Sequence, residues 1–316
     1  MSVEVIGIGR INIDITIDIE KLPKKSDHII GHDGQISFGG SAANFVMQLA
    51  KLGIKSGLVS CIGDDVYGQI ALKEIAKMGI ETKSILVLEN QPTGVFMLVR
   101  SKQNESFVIS QPGANRFLNQ SILDMDSIIR ARVIHVAGGF QQMANQAMKI
   151  ATTNGIVFSL DPGRTGDRID FSKVLPHTDL LFLNRSELKQ HFKLEPKQSD
   201  LISLARSFPG IVIIKLGAEG AIATDGFEYY TSPVFEVPVK DTLGAGDAFA
   251  AGFVTAWTRA ENIEKALHMA NAVAALTITE SGAQRGQPSL NQTASLLKKF
   301  DVDIGAILRT FGSKRR

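Results

Sequence analysis

From residue 131 onward the chain alternates short apolar runs with helical stretches, and no other feature restricts its fold as much. Arg132–Ala137, Ile156–Asp161, Leu180–Asn184 and Ile211–Leu216 read as strands, with Met143–Thr153 and Ser199–Phe208 as helices between them. Strand and helix in turn argue for an α/β fold, a doubly wound and mainly parallel sheet flanked by helices. The first half starts the same way. Val3–Gly9 reads as a buried strand, Ser41 as the cap of a helix ending at Leu52, and Val59–Gly63 as a strand. Asp64 or Asp65 is predicted to cap a helix over Val66–Met78. Asp225-Gly226 marks a hairpin near one edge, and helical patterns return at Asp247–Arg259, Ile263–Thr279 and Leu290–Lys299.

Two regions break the alternation, residues 11–38 and 93–110. In the first, five isoleucines from Ile11 to Ile19 point one way, while Asn12, Asp14, Thr16 and Asp18 point the other. His28–Phe38, Val95–Arg100 and Ser106–Ser110 add further extended runs without crossover helices. The two regions read as insertions that form a small separate sheet over one end of a single domain, residues 1–316. Gly31, Gly34, Gly39 and Gly94 are possible hinges for a mobile lid. Ile29, Ile30, Phe96, Met97, Phe107 and Ile109 are apolar residues that a second copy would cover, which predicts a homodimer through this sheet.

The composition excludes several classes. A net charge of +2 implies no acidic partner, and the basic end Lys314-Arg315-Arg316 reads as a frayed tail rather than a nucleic-acid arm. No run is long enough to span a membrane, and no signal peptide is visible, so a cytoplasmic location is expected. The single cysteine, Cys61, lies in an apolar run and reads as a core residue. The six histidines lack metal-ligand spacing. Triplets such as Asn104-Glu105-Ser106 are chance matches to a glycosylation signal.

Asp241-Thr242-Leu243-Gly244-Ala245-Gly246-Asp247 precedes a long apolar helix pattern. Glycines permit a tight turn with outward N–H groups, and a helix N-terminus behind it adds partial positive charge. That makes an anion hole with a carboxylate at its edge, the pairing that phosphoryl transfer to a hydroxyl needs. The plainer reading is a turn followed by an N-cap aspartate. Polar residues at strand ends carry weight in an open parallel sheet, because ligands bind beyond the carboxyl ends. Asp161, Asn184 with Glu187 one turn on, and Lys215-Leu216-Gly217 are so placed, although each alone could be a cap or turn residue.

From residue 3 to about residue 290 the chain resembles the ribokinase-like (PfkB) carbohydrate kinase family. The resemblance rests on Gly9-Arg10-Ile11-Asn12-Ile13-Asp14, Gly39-Gly40-Ser41-Ala42-Ala43-Asn44, Gly63–Gly68, Asn184-Arg185-Ser186-Glu187, Asp241–Asp247 and Gly282-Ala283, in that order. It implies transfer of the ATP γ-phosphoryl group to a hydroxyl of a sugar or sugar-like acceptor, with Mg²⁺. Asp247 matches the catalytic base, and Gly244, Ala245 and Gly246 the anion hole. Asn184 and Glu187 match residues that organise Mg²⁺ through water. Asn184, Lys215, Gly217, Gly246 and Asn271 match positions near the nucleotide. Asp241 and the Gly282 turn resemble a monovalent-cation site, with K⁺ as the ion.

Asn12, Asp14, Gly39, Gly40 and Asn44 are the acceptor candidates; for Thr16 and Asp18 a solvated face is the better reading. Asn44 sits among apolar residues and needs a partner. The chain departs from ribokinases proper, which often carry lysine where Ser41 stands and place a glutamate near Ala137–Phe140. Gln111–Asn115 keeps a ribokinase-like Gly-Ala-Asn, while Asp161-Pro162-Gly163 looks more like nucleoside-kinase relatives. The reaction type survives these departures and the acceptor stays open. A nucleoside kinase of the same fold is the near alternative. A catalytically silent sugar or nucleotide sensor is the distant one, disfavoured by Asp247 and its glycines.

Overall fold

The computed structural model describes residues 3–103, 105–119 and 128–312. Lys314-Arg315-Arg316 and Asn104 lie outside them. In chain order, the first elements are β1 (Val5–Gly9), β2 (Asn12–Ile19), β3 (Asp33–Gly39), α1 (Ser41–Lys51), β4 (Ser56–Gly63), α2 (Val66–Lys77) and β5 (Ile85–Leu88). Then come β6 (Gly94–Ser101), β7 (Ser106–Gln111), β8 (Val133–Ala137), α3 (Gln141–Asn154), β9 (Val157–Asp161), β10 (Leu180–Asn184), α4 (Gln198–Arg206) and β11 (Ile211–Lys215). The chain closes with β12 (Ala221–Thr224), β13 (Tyr229–Ser232), α5 (Ala245–Ala260), α6 (Ile263–Thr277), α7 (Leu290–Lys299) and α8 (Gly305–Gly312).

Nine strands make the main sheet, in the order β13-β12-β11-β10-β9-β8-β1-β4-β5. All neighbours from β11 to β5 run parallel, and β12 and β13 add an antiparallel edge. Both faces are covered, which is why these strands read as continuous apolar runs. Alternate residues feed two cores. Ile6, Ile8 and Val136 face the cluster under α3 and α4, while Val5, Phe182 and Ile213 face the cluster under α1, α5 and α6. Phe45, Phe182 and Phe253 are completely buried in the second cluster, each contributing about 1.5–3 kcal/mol by leaving water.

The small sheet has the order β3-β2-β6-β7. β2 pairs antiparallel with β3 and parallel with β6, and β6 pairs antiparallel with β7. Asp14 is level with Ser37 and Phe96, and Asp18 with Asp33 and Arg100. The polar residues of β2 therefore share one face with Phe96 and Arg100. The opposite face carries Ile15, Ile36, Met97 and Ile109 in one row.

Several expectations need correction. Phe96 lies on the polar face, not the outer one, because its register with Asp14 fixes its side. The third strand begins at Asp33, not His28, since β2 ends at Ile19 and has no further residues to pair with; Ile30 is left 82% exposed. Ser41 is the first residue of α1 rather than its cap; Gly40, at φ 95°, holds that place with no side-chain bond. Asp65 does cap α2, accepting from Gly68 N at 2.8 Å. Asp18 is not merely solvated, because Arg100 donates to both its carboxylate oxygens, at 2.8 and 3.2 Å.

Candidate active site

The turn before α5 is shaped from both sides. Gly244 is the N-cap at φ 77°, and no side chain caps the helix. The Ala245 N–H turns back to Thr242 O at 3.3 Å, and no side chain takes the N–H groups of Gly246 and Asp247, which have the positive end of the helix behind them. A β-carbon at Gly244 would lie 2.6 Å from Ala283 O, so only glycine fits. Asp241 accepts from Leu243 N at 3.0 Å and from Gly282 N at 2.9 Å. Its carboxylate thereby ties this turn to the later one at Gly282. Asp247 belongs to the first turn of α5 and does not cap it.

Asn44, from α1, donates to Asp247 Oδ2 at 2.8 Å, across 203 residues of sequence. Two glutamines hold Asn44 in turn: Gln284 donates to its side-chain oxygen at 3.0 Å and Gln287 to its backbone oxygen at 2.8 Å. Burial pushes the Asp247 carboxyl up to about 7; the Asn44 hydrogen bond opposes this and the charge of Asp161 adds to it. Asp14 is buried and also pushed up to about 7, first by burial and then by Asp247 and Asp241. Asp14 lies directly over Gly39, where a β-carbon would fall 1.8 Å from its carboxylate oxygen. Asn12 accepts from Asn115 at 3.1 Å, and Asn115 also bonds to both backbone groups of Ile11. The start of β2 is fixed in this way.

Asp161, Asn184 and Lys215 end the adjacent strands β9, β10 and β11, and Asn184 pairs with Lys215 in register. Lys215 Nζ donates to Asp161 Oδ2 at 2.5 Å, with the two side chains only 15% and 10% exposed. Burial works against the Lys215 charge, but Asp161 and Glu187 raise its pKa overall. A β-carbon at Gly246 would lie 3.5 Å from this ammonium, so the cation faces the glycine turn. Asn184 and Glu187 form a reciprocal capping box at the short helix Arg185–Glu187. Asn184 Oδ1 accepts from Glu187 N at 2.9 Å, and Glu187 Oε2 accepts from Asn184 N at 2.8 Å. The Glu187 carboxyl is raised by burial and by Asp161, while Lys215 opposes the rise.

No group of three or more His, Cys, Asp or Glu able to hold a metal occurs among the described residues. A hard divalent ion would therefore take most of its oxygens from phosphates and water, as Mg²⁺ does. The capping box engages one Glu187 oxygen and leaves the other for such a water.

Asn271 is not brought into this cluster by any bond. Its amide donates to Ser232 O and Pro233 O at 3.0 and 3.2 Å, which ties α6 to the end of β13. Gly217 opens the turn Gly217–Glu219 after β11, and Glu219 pairs with Arg185 at 2.7 Å. Sequence reasoning missed Arg100, Gln284 and Gln287 altogether. Arg100 approaches Asp241 at 3.9 Å from the small sheet. A cleft of about 780 Å³ opens beside that contact, between Phe96 and Leu98 of β6 and the turn Asp241–Gly244. Asp14, Asn44 and Asp247 do not line this cleft.

The model of the pfkB family carbohydrate kinases matches residues 3–290. The chain is 33% identical over 302 residues to the ATP-dependent ribose-1-phosphate kinase of Halopiger xanaduensis, covering 95% of this chain and 100% of that one. The ribokinase of Arabidopsis thaliana, solved with ribose and ATP, superposes with a TM-score of 0.85 at 25% identity, covering 94% of this chain and 99% of that one. An E. coli structure in complex with ATP and Mg²⁺ gives a TM-score of 0.83 at 23% identity, covering 94% and 99%.

Proposed function

The chain belongs to the pfkB family of carbohydrate kinases, phosphotransferases with an alcohol group as acceptor, and from that premise we propose the roles of its residues. The acceptor hydroxyl lies between Asp14 and Asp247. Its oxygen attacks the γ-phosphorus of ATP, the bond from that phosphorus to the β-bridging oxygen breaks, and ADP leaves. The hydroxyl proton passes to Asp247, whose pKa of about 7 suits a base working near neutral pH. The N–H groups of Gly244, Ala245 and Gly246 and the Lys215 ammonium take up charge on the transferred group, which the Ala245 N–H does by giving up its 3.3 Å bond to Thr242 O. Asn184 and Glu187 would hold the waters of Mg²⁺, which when bound would supply positive charge to the phosphates.

The observation that carries this reading is the Asn44–Asp247 hydrogen bond at 2.8 Å, which joins the acceptor side of the fold to the helix that forms the anion hole. ADP release with ATP and Mg²⁺ against sugars, sugar phosphates and nucleosides tests it. Turnover with a hydroxylated acceptor is expected. ATP hydrolysis at the same rate with and without every acceptor would refute it.

The small sheet is proposed as the lid of one single domain, excluding water from the phosphoryl group. Acceptor should then slow hydrogen exchange across residues 11–38. The row Ile15, Ile36, Met97 and Ile109 supports a homodimer through the outer face, with Ile36 and Ile109 59% and 54% exposed. Light scattering at micromolar concentration would contradict this by finding a monomer. K⁺ at Asp241 belongs to the same reading, and a K⁺ titration of turnover tests it. No helix among the described residues is long and apolar enough to cross a membrane; a cytoplasmic location is part of the proposal.

A further inference from the structure

Arg10 follows the C-terminal end of β1, on the same edge of the sheet where β8 and β9 end. Gly139 and Phe140 follow β8, and the turn Gly163–Arg168 follows β9. Gly139 N donates to Thr165 Oγ1 at 2.8 Å, so the two loops are fastened together. The Arg10 guanidinium lies over the Phe140 ring, 5.1 Å from its centroid. It is half-buried, and among the described residues it has neither a carboxylate within ion-pair distance nor a hydrogen-bond acceptor for its side chain. Burial lowers its pKa, and the like charge of Arg168 lowers it further.

Such an arrangement is unfavourable as it stands. Burial disfavours the charge, Arg168 repels it, and an aromatic face offsets only part of the cost. An oxyanion between the two arginines would reverse both effects, because the guanidinium fork matches phosphate geometry. Nothing nearby on β8 opposes an anion, since Ala137-Gly138-Gly139-Phe140 carries no carboxylate. The turn carries one acid of its own, Asp167, which is exposed beside Arg168, and the acid after the turn, Asp170, is already paired with Lys173 at 2.8 Å. Asn12 and Asp14 stand two and four residues after Arg10, so an anion held here would belong to the acceptor rather than to the nucleotide at the far strands β10 and β11.

We propose that Arg10 and Arg168 form a subsite for a phosphate group on the acceptor, so that the substrate is a sugar phosphate and the product a sugar bisphosphate. This rests on the kinase reading above. The reaction that supplies the substrate must then release a sugar already phosphorylated at one position, as phosphorolysis or an earlier kinase does.

Calorimetry tests the subsite directly, with the protein first saturated with a non-hydrolysable ATP analogue and Mg²⁺ so that the anion hole is filled. The titrants are inorganic phosphate, ribose, ribose 1-phosphate and ribose 5-phosphate. At least one ester should bind about tenfold or more tightly than ribose, the effect of a charged hydrogen bond. Arg10→Gln and Arg168→Gln should each erase that advantage and weaken inorganic phosphate, while leaving ribose and the ATP analogue unchanged. Arg168 is exposed, so its variant folds whatever becomes of Arg10. Esters and phosphate that fail to bind, esters no tighter than ribose, or an advantage that persists in both variants would each overturn the proposal. Absence of ADP release with every acceptor would instead overturn the kinase reading, and the calorimetric result would stand separately.

Discussion

Asp247→Asn removes a proton acceptor and a buried ionisable carboxyl together. The asparagine keeps the shape, and its carbonyl can still accept the Asn44 amide hydrogen. In the wild-type fold burial lifts this carboxyl from 3.8 to about 7. A carboxyl raised in this way holds its proton more tightly folded than unfolded. Its contribution to stability is thus full below about pH 4 and is lost as the pH climbs to about 7. The interval is about three pH units, and about 1.36 kcal/mol per unit makes it at most about 4 kcal/mol. The variant escapes that loss. Denaturant unfolding of both proteins should give a stability gap that widens in favour of Asn between pH 5 and pH 8, by about two units' worth or about 2.7 kcal/mol. Over the same range wild-type kcat/KM should rise and level off above about pH 7, as the base sheds its proton. At pH 8 the variant should lose about 10²- to 10⁴-fold in kcat. A gap equal at the two pH values would refute the raised carboxyl. A kcat within about tenfold of wild type, about 1.4 kcal/mol, would refute the base.

Glu187→Gln keeps the capping box but lowers the charge beside the phosphates; it should raise the Mg²⁺ concentration for half-maximal activity several-fold with acceptor KM unchanged, and an unmoved Mg²⁺ titration counts against it. Asp14→Ala should raise acceptor KM by the worth of a charged hydrogen bond, ~1.5–3 kcal/mol, with ATP KM nearly unchanged; equal losses for the two ligands would make Asp14 a structural residue. Lys215→Met strands the buried Asp161 and should cost about 3–5 kcal/mol of stability as well as turnover. Adding Asp161→Asn should restore the stability, read by denaturation, without restoring kcat; recovery of both would remove Lys215 from the chemistry.

The main sheet was legible because its strands are buried on both faces and their polar ends announce the ligand edge. Asp161, Asn184 and Lys215 each close an apolar run, and the fold sets those ends side by side. The glycine turn was legible for a similar reason, since its conformation is written in local residue types. β5 was not, because at the edge of the sheet Leu86 and Val87 stay exposed and leave no buried pattern. The start of α1 misled because serine has the better capping chemistry, while the backbone at Gly40 required a positive φ. Gln284 and Gln287 carry no local signal at all, and Asn115 shows only as the end of a ribokinase-like Gly-Ala-Asn with no partner attached. Their amides acquire a task only when distant segments meet, as Gln284 meets Asn44. Arg10 was read as one letter of a family motif, and its solitary charge became visible only once Phe140 and Arg168 were in place.

β1 lies inside the main sheet, third from one edge, with β4 on one side and β8 on the other. It is made first, and its register with β8 begins at Val5 and Val133. A growing chain thus carries one edge of this apolar strand unpaired until β8 emerges from the ribosome, a surface that other chains can add to. Premature termination before residue 133 would yield no working half-enzyme but a fragment inclined to aggregate, and a cell that makes this protein depends on translation running smoothly past that point.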